Sequence, residues 1–245
     1  MHHGNRWMVV ILMIIAGLQL AACTQTPVEG VNTSPQDWRE EFNLADRKLT
    51  HTGASNYFIL SPGFQIVLAS YNSKLTITVL DETREINGIS TRVVEEREEA
   101  NGALVEVSRN FFAIDQETGD VFYFGEEVDI YSRGSISGHS GAWMAYSSGS
   151  RPGLIMPGAP TVGMKYYQEL APGIAMDRAE VISISETCKT PAGEFRNCLV
   201  TKESSRIEPA VEYKTYAPGI GLAQDQSMLL LSHGYVENNR SSAKP

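Results

Sequence analysis

The chain is short of the residue types that usually announce chemistry. It has three cysteines and five histidines among 245 residues. No two cysteines stand in a C-x-x-C pair, which argues against a redox motif. Basic residues are outnumbered by acidic ones, 20 to 29, for a net charge of −9. A chain of that sign repels phosphate backbones, so no nucleic acid is expected as a partner. Helical periodicity is nearly absent after residue 50, and there is no exact internal repeat. One long apolar run exists, Trp7 to Leu20. It is shorter than the roughly 20 residues that a spanning helix needs.

That run fits another pattern. Arg6 precedes it, no acid occurs in residues 1–22, and Leu20-Ala21-Ala22-Cys23 closes it. A basic start, an apolar stretch and a small-residue cleavage site make a secretory signal. Leu-Ala-Ala-Cys resembles the bacterial lipobox at every position. The resemblance implies that Cys23 carries diacylglycerol on its sulfur, that the signal is cut before it, and that the new amine is acylated. At roughly 0.8 kcal/mol per buried methylene, three acyl chains hold stably to a bilayer. A lipid membrane, reached through acylated Cys23, is therefore the first expected partner. Thr24, where an inner-membrane signal would have Asp, implies an outer-membrane lipoprotein facing the periplasm in a proteobacterial host. Loss of Arg6 with the signal makes the mature chain, 23–245, one unit more negative.

The other cysteines, Cys188 and Cys198, flank the turn Pro191-Ala192-Gly193. An exported chain meets an oxidising compartment, so a Cys188–Cys198 disulfide is expected. Two buried thiols are the alternative if strand register sets them apart.

Residues 24–33 read as a polar spacer. Ser34-Pro35 starts a short helix over 35–46, with Trp38, Phe42 and Ala45 on one face. From Tyr57 the period becomes two. Leu75, Ile77 and Val79 alternate with polar neighbours, and Asn87-Gly88 and Asn101-Gly102 are strong hairpin signals. Residues 132–162 are rich in Gly, Ser and Pro and read as a long irregular segment. Strand patterns then return at 164–170, 179–189, 195–204, 211–216 and 221–235. The expected fold is all-β: an antiparallel meander of about nine or ten strands forming a strongly curved sheet, barrel or sandwich. The expected organisation is signal 1–22, tether and short helix 23–50, one β domain 51–236 and a polar tail 237–245.

Four stretches carry a wider resemblance. They are Tyr57-Phe58-Ile59-Leu60-Ser61-Pro62-Gly63, Val121-Phe122-Tyr123-Phe124-Gly125-Glu126, Thr190-Pro191-Ala192-Gly193-Glu194-Phe195 and Tyr216-Ala217-Pro218-Gly219-Ile220-Gly221-Leu222. Over about residues 55–225 the chain resembles uncharacterised bacterial exported proteins and lipoproteins. The resemblance implies a fold class and a location, and no activity.

Candidate chemistry is thin. Gly138-His139-Ser140-Gly141 falls short of G-x-S-x-G, leaving a hydrolase built on Ser140 and His233 as the weakest of three readings. Asp115, Glu117 and Asp120, with Glu126 or Glu127, supply fewer oxygens than calcium commonly takes. Met144, Met156, Met164, Met176 and His139 follow no copper spacing and read as core filler. Glu95, Glu96, Glu98 and Glu99 read as a solvated edge strand. No metal site and no cofactor are therefore expected, and no catalytic residue is assigned. Of the plentiful aromatics, Phe111, Phe122, Trp143 and Tyr166 are candidates for a ligand-lining face. The leading expectation is a non-enzymatic, membrane-anchored β domain that binds an envelope protein or a ligand. The second is a carrier of a small hydrophobic molecule.

Overall fold

The computed structural model describes residues 37–236. The expected signal, Cys23, the spacer and the polar tail lie outside the described residues. What is described is almost entirely antiparallel β-structure.

Four long strands follow the hairpin signals: β3 (Ser73–Ile86), β4 (Ile89–Ala100), β5 (Ala103–Asp115) and β6 (Val121–Ser132). Asn87 and Gly88 take φ of 50° and 79°, and Asn101 and Gly102 take 51° and 77°. Positive φ at both central positions is the geometry whose twist matches the flanking strands. β2 (Phe64–Ala69) pairs with β3, and the remaining long strands are β12 (Asp177–Thr190), β13 (Gly193–Ser205), β14 (Val211–Ala217), β15 (Gly221–Asp225) and β16 (Met228–Tyr235). β16 pairs with β2 and so joins the two halves of the chain into one sheet.

The sheet closes through a short connector. β9 (Arg151–Met156) pairs with β6, β11 (Glu169–Leu170) pairs with β9, and β10 (Lys165–Tyr167) pairs with β12. β10 and β11 are separated only by Gln168, whose N–H bonds to the Asp177 carbonyl at 2.7 Å. Residues 165–170 therefore touch both ends of the sheet, which runs β10-β12-β13-β14-β15-β16-β2-β3-β4-β5-β6-β9-β11. Near-closure into a barrel removes the open edges that would otherwise invite pairing with another chain.

Three short strands complete the chain: β1 (Leu49–Thr50) on β5, and β7 (Ser135–Gly138) and β8 (Trp143–Met144) on β6. The segment 132–162, expected to be irregular, thus yields β7, β8 and β9, and short additions of this kind raise the strand number above nine or ten. The segment expected as one strand over 221–235 is two, broken at Gln226, which takes φ of 50°.

The helix expected over 35–46 does not form within its described part. Only Leu44–Asp46 makes one 3-10 turn. Arg39 pairs in parallel with Tyr166, exchanging bonds of 3.0 and 2.9 Å with Lys165 and Tyr167. Trp38 lies edge-on to Tyr167 at 6.3 Å under the Arg178 guanidinium, and Phe42 packs on Phe122 at 5.8 Å. Extended backbone lets Trp38 and Phe42 reach separate parts of the barrel wall, and that packing outweighs a weak local helix preference. Further on, Tyr57 is buried, its hydroxyl donating to the Asn197 carbonyl at 2.8 Å, and Phe58 meets Phe112 at 5.1 Å.

Candidate ligand site in the barrel interior

Alternation along each strand decides what faces inward. On β4, Glu95 lies 3.7 Å from Arg97 and 3.6 Å from Arg109, on one face. Glu96 and Glu98 turn to the other face, with buried Val94. β4 is flanked by β3 and β5 along its length. The expectation that 95–99 forms an edge is therefore wrong, because the strand is central and Glu96 faces the barrel interior, although Glu98 stays exposed. Sequence reasoning missed this because an acidic run reads as surface unless the strand order is known.

The opposite wall supplies a second polar group. Thr201 and Glu203 on β13 face Lys214 and Glu212 on β14, and Lys214 faces Asp225 on β15. One carboxylate oxygen of Glu203 accepts from Thr201 at 3.0 Å, Gln168 at 3.2 Å and the Tyr216 hydroxyl at 3.2 Å; the other lies 3.0 Å from Lys214 Nζ. Burial acts to raise the Glu203 carboxyl, but Lys214 and these hydrogen bonds outweigh it and hold it below the usual range. Burial likewise acts against the Lys214 charge, yet Glu203 and Asp225 keep that ammonium firmly protonated. Lys214 keeps 26% of its side-chain surface uncovered.

The two walls interact across the interior. Burial is the main reason that Glu96 is pushed up to about 7; Lys214 opposes this, and Glu98, Asp225 and Glu106 reinforce it. Asp225 and Glu212 are also raised, first by burial. Raising a folded-state pKa makes folding favourable for the protonated form. The contribution of Glu96 is therefore complete below pH 4.5 and lost as pH rises through about 7. Glu96→Gln should remove that loss: denaturant titration should find the variant more stable than the parent at pH 8 and close to it at pH 4. Equal stability at both pH values would show that Glu96 is not desolvated.

Aromatic side chains form a third side. Tyr123 donates a hydrogen bond to Asn110, and its hydroxyl is raised well above its usual value by burial, then by Glu126, Glu169 and Glu96. Trp143 stands edge-on to Tyr123 at 5.3 Å. β8 approaches this closely because residue 125 is glycine, where a Cβ would lie 2.5 Å from the Trp143 carbonyl oxygen. Tyr166 on β10 is fully buried, and its hydroxyl is raised by burial and then by Glu203. The indole Nε1 of Trp143, the hydroxyl of Tyr166 and Oδ1 of Asp225 are buried and find no hydrogen-bond partner among the described residues. Buried polar groups are nearly always satisfied, so each such exception needs a cause.

Of the four aromatics singled out from sequence, Trp143 and Tyr166 belong to this polar interior. Phe122 is covered by Phe42 and by the Arg47 guanidinium at 4.7 Å, and Phe111 by Arg84 at 5.4 Å. These two pack on the face of the sheet opposite Phe112 and Tyr123. The lysine–carboxylate group was not foreseen. Its available signal was Lys214 standing two residues from Tyr216, on one face of a strand.

The other candidates are scattered. Cys188 and Cys198 are buried, unbonded thiols, and the Cys198 thiol donates to the Phe195 carbonyl at 3.5 Å. Burial, then Cys198, pushes the Cys188 thiol up to about 11. Arg47 lies 2.7 Å from Asp115 and 2.9 Å from Asp120, and Lys48 2.6 Å from Glu117, so the carboxylates of that turn hold protein cations where calcium was considered. His139 Nδ1 lies 2.8 Å from the Val128 carbonyl and 3.1 Å from Asp129, and among the described residues no hydrogen bond joins Ser140 to His233. Met156 and Met176 are buried in the core, with Met144 and Met164 packed against it.

No known protein family matches the chain, and no curated protein does. Two solved structures are similar to it. One is an exported protein with a YmcC-like fold from Bacteroides fragilis NCTC 9343, 14% identical, with a TM-score of 0.34 over 74% of this chain and 100% of that one. The other is described as a lipoprotein from Parabacteroides distasonis ATCC 8503, 14% identical, with a TM-score of 0.37 over 75% of this chain and 100% of that one. Scores in this range leave strand number and register free to differ, and no activity passes from those proteins to this chain.

Proposed function

We propose that this chain is a lipid-anchored protein of the bacterial envelope whose barrel binds a small polar ligand, neutral or cationic, in its acid–aromatic interior. The lipid anchor rests on Leu20-Ala21-Ala22-Cys23. The ligand rests on one observation: Trp143 Nε1, packed against Tyr123, and the Tyr166 hydroxyl, near Glu203, are buried donors that find no acceptor among the described residues. An unsatisfied buried donor costs about 1–3 kcal/mol, a penalty that a ligand offering acceptor oxygens removes. Asp225 adds an acceptor, and the excess of carboxylates over the one lysine disfavours an anion. A hydrophobic cargo is the weaker reading, because an acyl chain against Glu96, Glu203 and Lys214 would desolvate charges and return no hydrogen bond. In a proteobacterial host, Thr24 in place of Asp supports outer-membrane attachment facing the periplasm. In that oxidising compartment the Cys188 and Cys198 thiols would form a disulfide, passing two electrons and two protons to the disulfide of an exchange catalyst.

Native mass spectrometry of the protein purified from its own membranes tests this. The expected result is acylation at Cys23 and a retained small polar molecule. Trp143→Phe and Tyr166→Phe should each lose that molecule. Tyr166→Phe removes only the orphaned hydroxyl and should leave the apo protein as stable as the parent or up to about 1 kcal/mol more stable, whereas Trp143→Phe also shrinks a buried side chain and should cost some apo stability. If both variants keep the molecule, or if Tyr166→Phe loses about 1–3 kcal/mol of apo stability, the donors serve the fold and the reading fails.

A further inference from the structure

The seam that closes the barrel carries a second feature. A cavity of about 400 Å³ opens there, lined in part by Glu40, Arg151, Met176, Arg206 and Ile207. Three loops surround it. Residues 171–176 and 205–210 are tied by the Arg206 N–H bonding to the Met176 carbonyl at 3.1 Å, and 145–150 is closed by Tyr146 N–H to Ser150 at 2.8 Å. Each loop presents an apolar side chain to solvent: Ile174 is 40% exposed, Ile207 44% and Tyr146 47%. Arg151 is paired with Glu40 and Glu41, whereas Arg206 is exposed and takes part in no ion pair among the described residues. Exposed apolar tips beside a guanidinium suit a bilayer interface, where the apolar part enters the headgroup layer and the charge meets phosphate.

The chain itself says which surface can reach this rim. The described residues begin at Asp37, and Arg39 is hydrogen-bonded to Lys165 and Tyr167 of β10, with Glu40 in the cavity wall. Thirteen residues, 24–36, separate that point from Cys23. Fully extended they span at most about 45 Å, so the seam, where the described chain begins, stays within the anchor's reach of the bilayer. We infer that the seam rim is the membrane-facing surface of the barrel, with Tyr146, Ile174 and Ile207 entering the headgroup layer and Arg206 meeting lipid phosphate. The inference rests on the reading of Cys23 as acylated.

The test uses tryptophan reporters in the acylated full-length protein, purified from its membranes and placed in phosphatidylethanolamine–phosphatidylglycerol vesicles containing brominated phospholipid. Ile174→Trp and Ile207→Trp should show at least twofold more quenching of their added fluorescence than Lys189→Trp at the far end of β12. Arg206→Glu in the Ile207→Trp background should cut that quenching at least twofold. Quenching equal to that of Lys189→Trp overturns the inference, as does burial of the rim in a dimer found by analytical ultracentrifugation. Intact mass separates the two readings. Should Cys23 prove unmodified, the anchor reading falls, and the same reporters titrated with added vesicles still decide the rim: quenching supports it and none overturns it.

Discussion

Arg47→Met should lower the unfolding free energy by about 3–5 kcal/mol at pH 7, the usual cost of leaving a buried charge without its partner. Arg47 holds Asp115 and Asp120 with one nitrogen, bonds the Phe42 carbonyl at 2.9 Å with another, and covers Phe122. Asp115 is the exposed flank of nothing: its side chain keeps only 3% of its surface. Burial acts to raise the Asp115 carboxyl, but the Glu117 N–H, Arg47 and Thr118 outweigh it and hold it below its usual 3.8. A depressed folded-state value gives stability that is present above 3.8 and lost as pH falls through the folded value. In Arg47→Met the carboxyl loses its main cation, so the penalty should be greatest at neutral pH and shrink as falling pH protonates the carboxyl of the variant. Lys48→Met, which removes an exposed pair with Glu117, should cost under about 1 kcal/mol. Denaturant titrations of both variants at pH 7 and pH 3 check this. An Arg47→Met loss below 1 kcal/mol, or one independent of pH, would mean that Asp115 is solvated.

Gly153→Ala should cost about 3 kcal/mol and loosen the closure of the barrel. A Cβ at residue 153 would lie 2.1 Å from the Gln168 carbonyl oxygen and 2.9 Å from the Glu169 nitrogen. Both obstacles are backbone in the connector 165–170, so no side-chain rotation relieves them, and overpacking of this kind costs 1–3 kcal/mol or more. Gly88→Ala gives the contrast. A Cβ there meets nothing within 4 Å, and its positive φ leaves only a conformational cost of about 1 kcal/mol. Hydrogen exchange should localise the damage in Gly153→Ala: the amides of Tyr167 and Gln168, bonded to Arg39 and Asp177, should exchange faster, while those of β3 and β4 should not. Tolerance within 0.5 kcal/mol would show that the seam yields without opening.

Much of the fold was written locally. Asn87-Gly88 and Asn101-Gly102 set the β3–β4 and β4–β5 hairpins because only a few residue types adopt consecutive positive φ. Alternation of Leu75, Ile77 and Val79 with polar residues marked a strand with one covered face. The candidate site was half legible. Trp143 and Tyr166 stood out as large aromatics in a polar stretch, whereas Glu96 and Lys214 did not, because a charged residue in a strand gives no sign of which face it occupies. The same ambiguity made Phe111 and Phe122 look like ligand-lining residues.

The sequence by itself determined the all-β class, the hairpin register and the pattern expected of an export signal, because turns, period-two alternation and an apolar leader are each encoded within a few residues. Only the tertiary structure decided that Trp38 and Phe42 lie extended, that β4 is central, and that residues 165–170 join both ends of the sheet. Each of these depends on contacts between segments far apart in the chain. Such contacts choose the inward face of every strand, and with it the charges that come to share the barrel interior.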